Sequence, residues 1–207
     1  YVSMIFTALE TDYFPRLSAV CMKREPVSGT VNRQAEVSVL LIAPILLVFM
    51  FLLPVLLPLL FSGKFLPALG MMQVAALSML FRALYLPVEY LSLAKGDSKS
   101  YCLLESVNDL CMVAFVIGGY HLWGLFGTGV GLCVAAAVES VVSVAYTYYK
   151  YNYCPSASLL RYVTMQLPLV ALGYCVTVVC SGVTYWACGA ALVVACTALS
   201  VLLLAKK

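Results

Sequence analysis

The sequence predicts an all-α protein, a polytopic bundle of transmembrane helices. Of its 207 residues, 64% are hydrophobic and only 10% are charged, and the mean hydropathy is +1.02. A soluble domain contains about 25% charged residues, so this composition indicates an integral membrane protein. The apolar residues also fall into long runs, and about 20 such residues suffice for a helix to cross a bilayer.

Polar connections divide the chain into six complete spans plus the end of a seventh. Pro15 predicts a break after the first, partial span, because proline disfavours helix in the residue before it. The polar stretch 21–33 predicts a loop, and residues 118–124 predict a corner at the membrane surface, with Trp123 suited to the headgroup level. The predicted segments are about 1–9, then 37–61, 65–94, 101–119, 128–149, 160–181 and 184–205.

The connections alternate in charge, which predicts an orientation. Cytoplasmic loops carry an excess of lysine and arginine, so the basic connections and the C-terminus are expected in the cytoplasm. One side has Lys64 alone, and the other has ten basic residues: Arg16, Lys23, Arg24, Arg33, Lys95, Lys99, Lys150, Arg161, Lys206 and Lys207.

Two charges, Arg82 and Glu89, interrupt the apolar span 65–94. Seven residues at about 100° each place both side chains within about 20° of the same helix face, and Pro87 between them favours a kink. A charge near the bilayer centre costs at least about 2.5–3.5 kcal/mol, so such groups usually face a polar cavity or a partner. A place in a transport pathway and a structural ion pair between helices both fit this pattern.

Three further carboxylates lie within predicted spans. Glu105 and Asp109 are four residues apart and therefore share a helix face, whereas Glu139 is near the middle of the span 128–149 among apolar neighbours. Together with Arg82 and Glu89 they predict a polar file, provided that their helices are neighbours. For Glu89 and Glu105, solvation at the membrane interface is the simpler interpretation.

Several classes of function fit the sequence poorly. The nine cysteines form no C-x-x-C pair and there is a single histidine, His121, so we predict no metal site and no cofactor. The glycines at 127–131 are typical of close helix packing rather than of a nucleotide loop, and the aromatic stretch 146–153 is typical of a membrane belt rather than of nucleic-acid binding. An enzyme needs acid–base groups near a solvent-facing loop, but the connections on the non-cytoplasmic side are very short. A channel needs a filter-like loop, and no such repeated loop is visible in the sequence. Broken helices with a few deep charges favour a secondary transporter.

Four short runs resemble O-antigen and polysaccharide-repeat flippases of the multidrug/oligosaccharidyl-lipid/polysaccharide exporter superfamily. The resemblance covers about residues 8–150 and lies in TDYFPRLS at 11–18, VNRQAE at 31–36, FLPA at 65–68 and LAKG at 93–96. It implies one lobe of a two-lobe transporter, with residues 1–207 as the C-terminal lobe and a missing N-terminal lobe. It further implies a multi-pass protein of the bacterial inner membrane.

The resemblance also implies a substrate. Such flippases move a polyprenyl-pyrophosphate-linked oligosaccharide across the membrane by alternating access, with a proton or sodium as the expected coupling cation. Arg82 is the natural candidate to meet the pyrophosphate, because guanidinium binds phosphate bidentately. The alternative is a multidrug cation antiporter of the same superfamily, which would use the deep carboxylates but would have less use for an arginine that repels cations.

Overall fold

A computed structural model describes residues 2–23, 27–61 and 63–205, and all regular structure within these ranges is helical. This confirms the all-α prediction. Arg24, Lys206 and Lys207, which the charge pattern assigns to the cytoplasm, lie outside the described residues. The elements are α1 (Val2–Met22), α2 (Ser28–Leu60), a 3-10 helix (Gly63–Ala68), α3 (Leu69–Ala94), α4 (Ser98–Tyr151), α5 (Ala157–Val179) and α6 (Gly182–Ala205).

Five helices in the described part of the chain, α2 to α6, are long and apolar enough to cross a membrane. This count differs from the six predicted spans, because the segments 101–119 and 128–149 fall within the single helix α4. A straight helix of 54 residues would be about 81 Å long, far more than the hydrocarbon thickness of about 30 Å. Helix α4 is bent instead: Trp123 and Gly124 leave the helical conformation, and Gly124 adopts φ 60°, which glycine tolerates without a steric cost.

The bend folds α4 into an antiparallel hairpin, with a first arm at residues 98–122 and a second arm at residues 125–151. Near the bend, a Cβ atom on Gly119 would overlap the carbonyl oxygen of Gly127, so the two backbones touch. At the open end, the Tyr146 hydroxyl donates a hydrogen bond to Ser100 Oγ at 2.8 Å. The glycines therefore serve close helix packing, as their spacing predicts.

The break predicted at Pro15 is absent, because α1 continues through this proline to Met22. Tyr13 and Leu17, on either side of Pro15, are buried against Val88 and Leu91 of α3. The Tyr13 hydroxyl also donates to the carbonyl oxygen of Pro87 at 2.8 Å. Packing on both sides of the proline thus outweighs its local preference. The loop expected at 21–33 is correspondingly shorter, since α2 begins at Ser28.

The core is built around α2. Its side chains at Leu46, Leu47 and Met50 are fully buried in a cluster that also includes residues of α3, α5 and α6. Helices α5 and α6 are joined by a buried polar contact, in which Gln166 Nε2 donates to Ser200 Oγ at 2.8 Å. Such hydrogen bonds are worth about 0.6 kcal/mol on average between membrane helices. Helix α3 lies between this core and the α4 hairpin.

The start of α2 is joined to the α4–α5 connection by a polar network. Asn32 Oδ1 accepts a hydrogen bond from the Tyr153 hydroxyl at 2.7 Å, and Asn32 Nδ2 donates to the carbonyl oxygen of Cys154 at 2.9 Å. Ser156 Oγ donates to Glu36 Oε1 at 2.8 Å. Asn32, Glu36 and Tyr153 are all buried, so this network fixes the connection to the core.

The turn between α3 and α4 is fixed by Asp97. Its carboxylate caps α4 by accepting hydrogen bonds from Ser100 N at 3.2 Å and Ser100 Oγ at 2.8 Å. It also accepts a hydrogen bond from the Tyr151 hydroxyl at 3.0 Å and pairs with Lys150 Nζ at 2.6 Å. The Lys150 ammonium, and then Ser100, hold the pKa of Asp97 below its usual range.

Replacing Asp97 should destabilise the protein in a pH-dependent way. Because the pKa of Asp97 is lowered in the folded state, its stabilisation is fully present above the unfolded pKa of about 3.9 and is lost as the pH falls through the folded value. Asp97→Asn should therefore unfold at a lower temperature than the wild type at neutral pH, and the difference should shrink in acid below about pH 4. Circular dichroism of the purified protein during heating, at several pH values, measures this.

Asp12→Asn is the matched control for this prediction, because Asp12 forms an exposed pair with Arg16 at 3.0 Å and exposed pairs contribute little. Equal unfolding temperatures for Asp97→Asn and Asp12→Asn at neutral pH would contradict the role given to Asp97.

Candidate functional site

The site begins with one stripe of side chains on α3. Arg82, Leu86 and Tyr90 follow one another at intervals of four residues, so they lie on one side of the helix. Arg82 is exposed, whereas Leu86 and Tyr90 are half-buried. Arg82 is twelve residues from the end of α3 at Ala94, which corresponds to a depth of about 18 Å along the helix. Its charge therefore lies near the middle of the span.

A second stripe lies on the first arm of α4. Tyr101, Glu105 and Asp109 also follow at intervals of four residues, and both carboxylates are exposed. The rings of Tyr90 and Tyr101 stack with centroids 6.3 Å apart and planes at 15°, which brings the two stripes side by side. Glu105 interacts electrostatically with Arg82 and with Asp109. We refer to these five residues, Arg82, Tyr90, Tyr101, Glu105 and Asp109, as the polar face.

Glu139, on the second arm of α4, lies at the edge of the polar face. It is half-buried and within hydrogen-bonding reach of the hydroxyl of Tyr85, a buried residue of α3. It also interacts electrostatically with Arg82, Glu105 and Asp109. The structure thus brings together Arg82 and three of the four carboxylates that the sequence predicts as a polar file.

Glu89, the fourth carboxylate, is buried beneath this face with 2% of its surface exposed. Its Oε1 atom accepts hydrogen bonds from Asn108 Nδ2 at 2.6 Å and from Ser143 Oγ at 2.8 Å, one from each arm of α4. These bonds offset part of the cost of burying a carboxyl group. Solvation at the membrane interface, the simpler interpretation of Glu89, is therefore wrong.

Arg82 and Glu89 differ in their surroundings although their spacing predicts a shared face. The arms of α4 close over Glu89 through Asn108 and Ser143, whereas Arg82 lies on the open side of α3. Nothing in the sequence identified Asn108 or Ser143 as partners of Glu89, because residue spacing within one helix carries no information about contacts between helices. Tyr90 and Tyr101 could have been found by counting eight residues from Arg82 and four from Glu105.

The polar face and its surroundings carry an excess of negative charge. Arg82 is accompanied by Glu105, Asp109 and Glu139, and Glu89 is buried beneath them. Within the described ranges, no group of three or more histidine, cysteine, aspartate or glutamate residues has an arrangement that could hold a metal ion. The arrangement can instead accept hydrogen bonds from hydroxyl or ammonium groups and donate a bidentate pair from the guanidinium.

Fold and site together define an all-α membrane protein with charged groups exposed midway along its apolar helices. In comparisons with protein-family models, curated proteins and solved structures, nothing matches this chain. The function therefore has to be argued from the polar face itself.

Proposed function

We propose that this chain is one lobe of a two-lobe membrane transporter, a flippase that moves a polyprenyl-pyrophosphate-linked oligosaccharide across the bacterial inner membrane by alternating access. The observation that carries the proposal is the exposure of Arg82 and Asp109 deep within their helices, with Glu105 exposed one turn nearer the α3–α4 turn. Each such charge would cost at least about 2.5–3.5 kcal/mol against lipid, so the polar face lines a polar cavity. A second, N-terminal lobe would form the opposite wall.

The helices around the polar face fit the expected lobe. With the two arms of α4 counted separately, α2 to α6 supply six membrane-length segments, the number of complete spans that the polar connections predict. Helix α3 and the α4 hairpin form one tightly packed unit, in which Asp97 pairs with Lys150 at one end. Farther along, Gly129 lies against the backbone of α3 at Met71, and Gly131 lies against the backbone of the other arm of α4. Alternating access in such transporters moves units of this kind as rigid bodies.

The presence of Arg82 favours a substrate with an anionic lipid headgroup. Arg82 is exposed in the polar face, and the planar fork of a guanidinium matches the geometry of two phosphate oxygens. Glu105 and Asp109, which only accept hydrogen bonds when ionised, would face the hydroxyl groups of the attached sugars. The proposed reaction is transport without covalent chemistry, so the protein is not an enzyme. A proton or sodium ion is the proposed coupling cation.

A multidrug cation antiporter is the second candidate, and the excess of carboxylates over arginine favours it. Glu105, Asp109 and Glu139 together outweigh the single charge of Arg82 and would attract an organic cation. The arginine would repel that cation, which is why we place this function second.

Complementation separates the two candidates. In a bacterial strain that lacks its polysaccharide flippase, the complete protein should restore surface polysaccharide without raising drug resistance. In a variant from which the nine native cysteines have been removed, a cysteine introduced at Ser98 should be labelled only from the cytoplasmic side, as the positive-inside rule predicts. Drug efflux without restored polysaccharide would favour the antiporter, and neither activity would remove both candidates.

A further inference from the structure

We infer that the end of the polar face nearest the α3–α4 turn binds sugar rings, on an aromatic cluster formed by Phe14, Tyr90 and Tyr101. This inference rests on the proposed flippase function and assigns a subsite to the glycan part of the substrate. It separates the glycan from the pyrophosphate, which Arg82 would hold deeper in the membrane.

The aromatic cluster joins three helices. Phe14 of α1 meets Tyr90 of α3 edge-on, with ring centroids 6.1 Å apart and planes at 65°. Tyr101 of α4 stacks on Tyr90 at 6.3 Å. All three residues are half-buried, so each packs against the protein and keeps part of its surface accessible. The contact of Tyr13 with Pro87 fixes α1, and with it Phe14, against α3.

Polar groups continue directly from the aromatic cluster. Glu105 is one helical turn from Tyr101, and Asp109 is one turn farther on. Arg82 lies eight residues from Tyr90, or about 12 Å along α3. Pyranose rings have one face lined by C–H groups, which packs against an aromatic ring, and hydroxyl groups at the edge, which donate to carboxylates. Apolar ring surface followed by acceptor oxygens matches both features of a sugar.

Other tyrosines of the chain show what an ordinary membrane-interface position looks like. Tyr148 and Tyr149, near the end of α4, are 50% and 85% exposed, which is typical of residues that anchor a helix at the headgroup level. Tyr90 and Tyr101 are instead half-buried, and they lie in line with Arg82 and Glu105. They are about as far from a helix end as Tyr148 and Tyr149 are, but they lie on the side of the bundle that carries the polar face.

Sugar binding to the purified, complete protein tests the inference. Saturation-transfer NMR with free glucose- and galactose-containing disaccharides as probes should detect binding to the wild type. The double variant Tyr90→Leu, Tyr101→Leu should bind at least tenfold more weakly, whereas Tyr149→Leu, the matched control outside the polar face, should bind as the wild type does. The variant Tyr101→Phe, which keeps the ring, should retain binding, and circular dichroism during heating shows whether the double variant is folded.

Four results would overturn the inference. The first is a wild type that binds none of the disaccharides, and the second is a double variant that binds them undiminished. The third is that Tyr90 and Tyr101 bind tetraphenylphosphonium, an organic cation, and not sugar, so that the double variant loses binding of the cation. Aromatic rings beside carboxylates also attract cations. The fourth is a tyrosine variant that unfolds as readily as a variant with a substitution in the core. Such a loss of stability would mean that the rings are covered by other parts of the protein and cannot contact a sugar.

The outcomes for the subsite and for the flippase remain distinguishable. Restored surface polysaccharide with sugar binding that does not depend on Tyr90 and Tyr101 would remove the subsite alone. Sugar binding that depends on these tyrosines without restored polysaccharide would remove the flippase alone.

Discussion

Replacing Arg82 with alanine should abolish transport while the protein remains folded and inserted. Arg82 is exposed in the polar face, and the proposal assigns it the pyrophosphate of the lipid substrate. Without the guanidinium, an anionic headgroup would face only the carboxylates of Glu105, Asp109 and Glu139. Arg82→Lys should keep part of the activity, because the charge survives while the bidentate fork is lost. Flipping in reconstituted vesicles and the level of inserted protein are the two measurements.

A structural role for Arg82 predicts a different pattern. If Arg82 serves mainly to neutralise a carboxylate such as Glu139, its removal leaves an uncompensated charge, a loss of about 3–5 kcal/mol in buried pairs of soluble proteins. Expression of Arg82→Ala would then fall, and a second change, Glu139→Gln or Asp109→Asn, would restore it. Arg161→Ala, at an exposed arginine of α5, is the control for losing a positive charge elsewhere. Normal flipping by Arg82→Ala would exclude the residue from the mechanism.

The second large effect is expected at Gly131, where a side chain should separate the two arms of α4. A Cβ atom there would come within 2.8 Å of the Phe115 carbonyl carbon and 2.9 Å of Val116 Cα. These are backbone atoms, which cannot rotate away as a flexible side chain can. Gly131→Ala should therefore destabilise the protein at the upper end of the range of about 1–3 kcal/mol that overpacking typically costs, or beyond it.

Gly118→Ala is the matched control for this prediction, because a Cβ atom at Gly118 meets nothing within 4 Å. This change should be neutral or stabilising by up to about 1 kcal/mol, since alanine favours helix over glycine. Unfolding of both variants in mixed micelles with increasing denaturing detergent gives the comparison. Equal stabilities would show that the arms do not depend on close backbone contact.

The sequence predicted the fold class because composition and run length are properties of single segments. It did not predict that two spans share one helix, because residues 118–124 favour a corner of several residues, whereas the backbone leaves the helix only at Trp123 and Gly124. The expected break at Pro15 failed for a related reason. Packing of Tyr13 and Leu17 against α3 is a tertiary effect, and local proline preference carries no information about it.

The candidate site could be predicted from the sequence to a similar extent. The spacing of Glu105 and Asp109 placed both on one face of a helix, and the structure puts them side by side in the polar face. Which helices meet that face depends on packing, so the proximity of Arg82 and Glu139 remained conditional on neighbouring helices. The burial of Glu89 could not be predicted, because it depends on Asn108 and Ser143 from two different arms.

The network at the start of α2 has a consequence for biosynthesis. Asn32 and Glu36 are made long before their partners, since Tyr153, Cys154 and Ser156 follow 120 to 124 residues later. At a translation rate of about 5–20 residues per second, that interval lasts about 6–25 s. Throughout it, the hydrogen bonds that Asn32 and Glu36 make to the α4–α5 connection cannot form. Closure of the bundle at this end therefore waits until the ribosome has passed the α4–α5 connection.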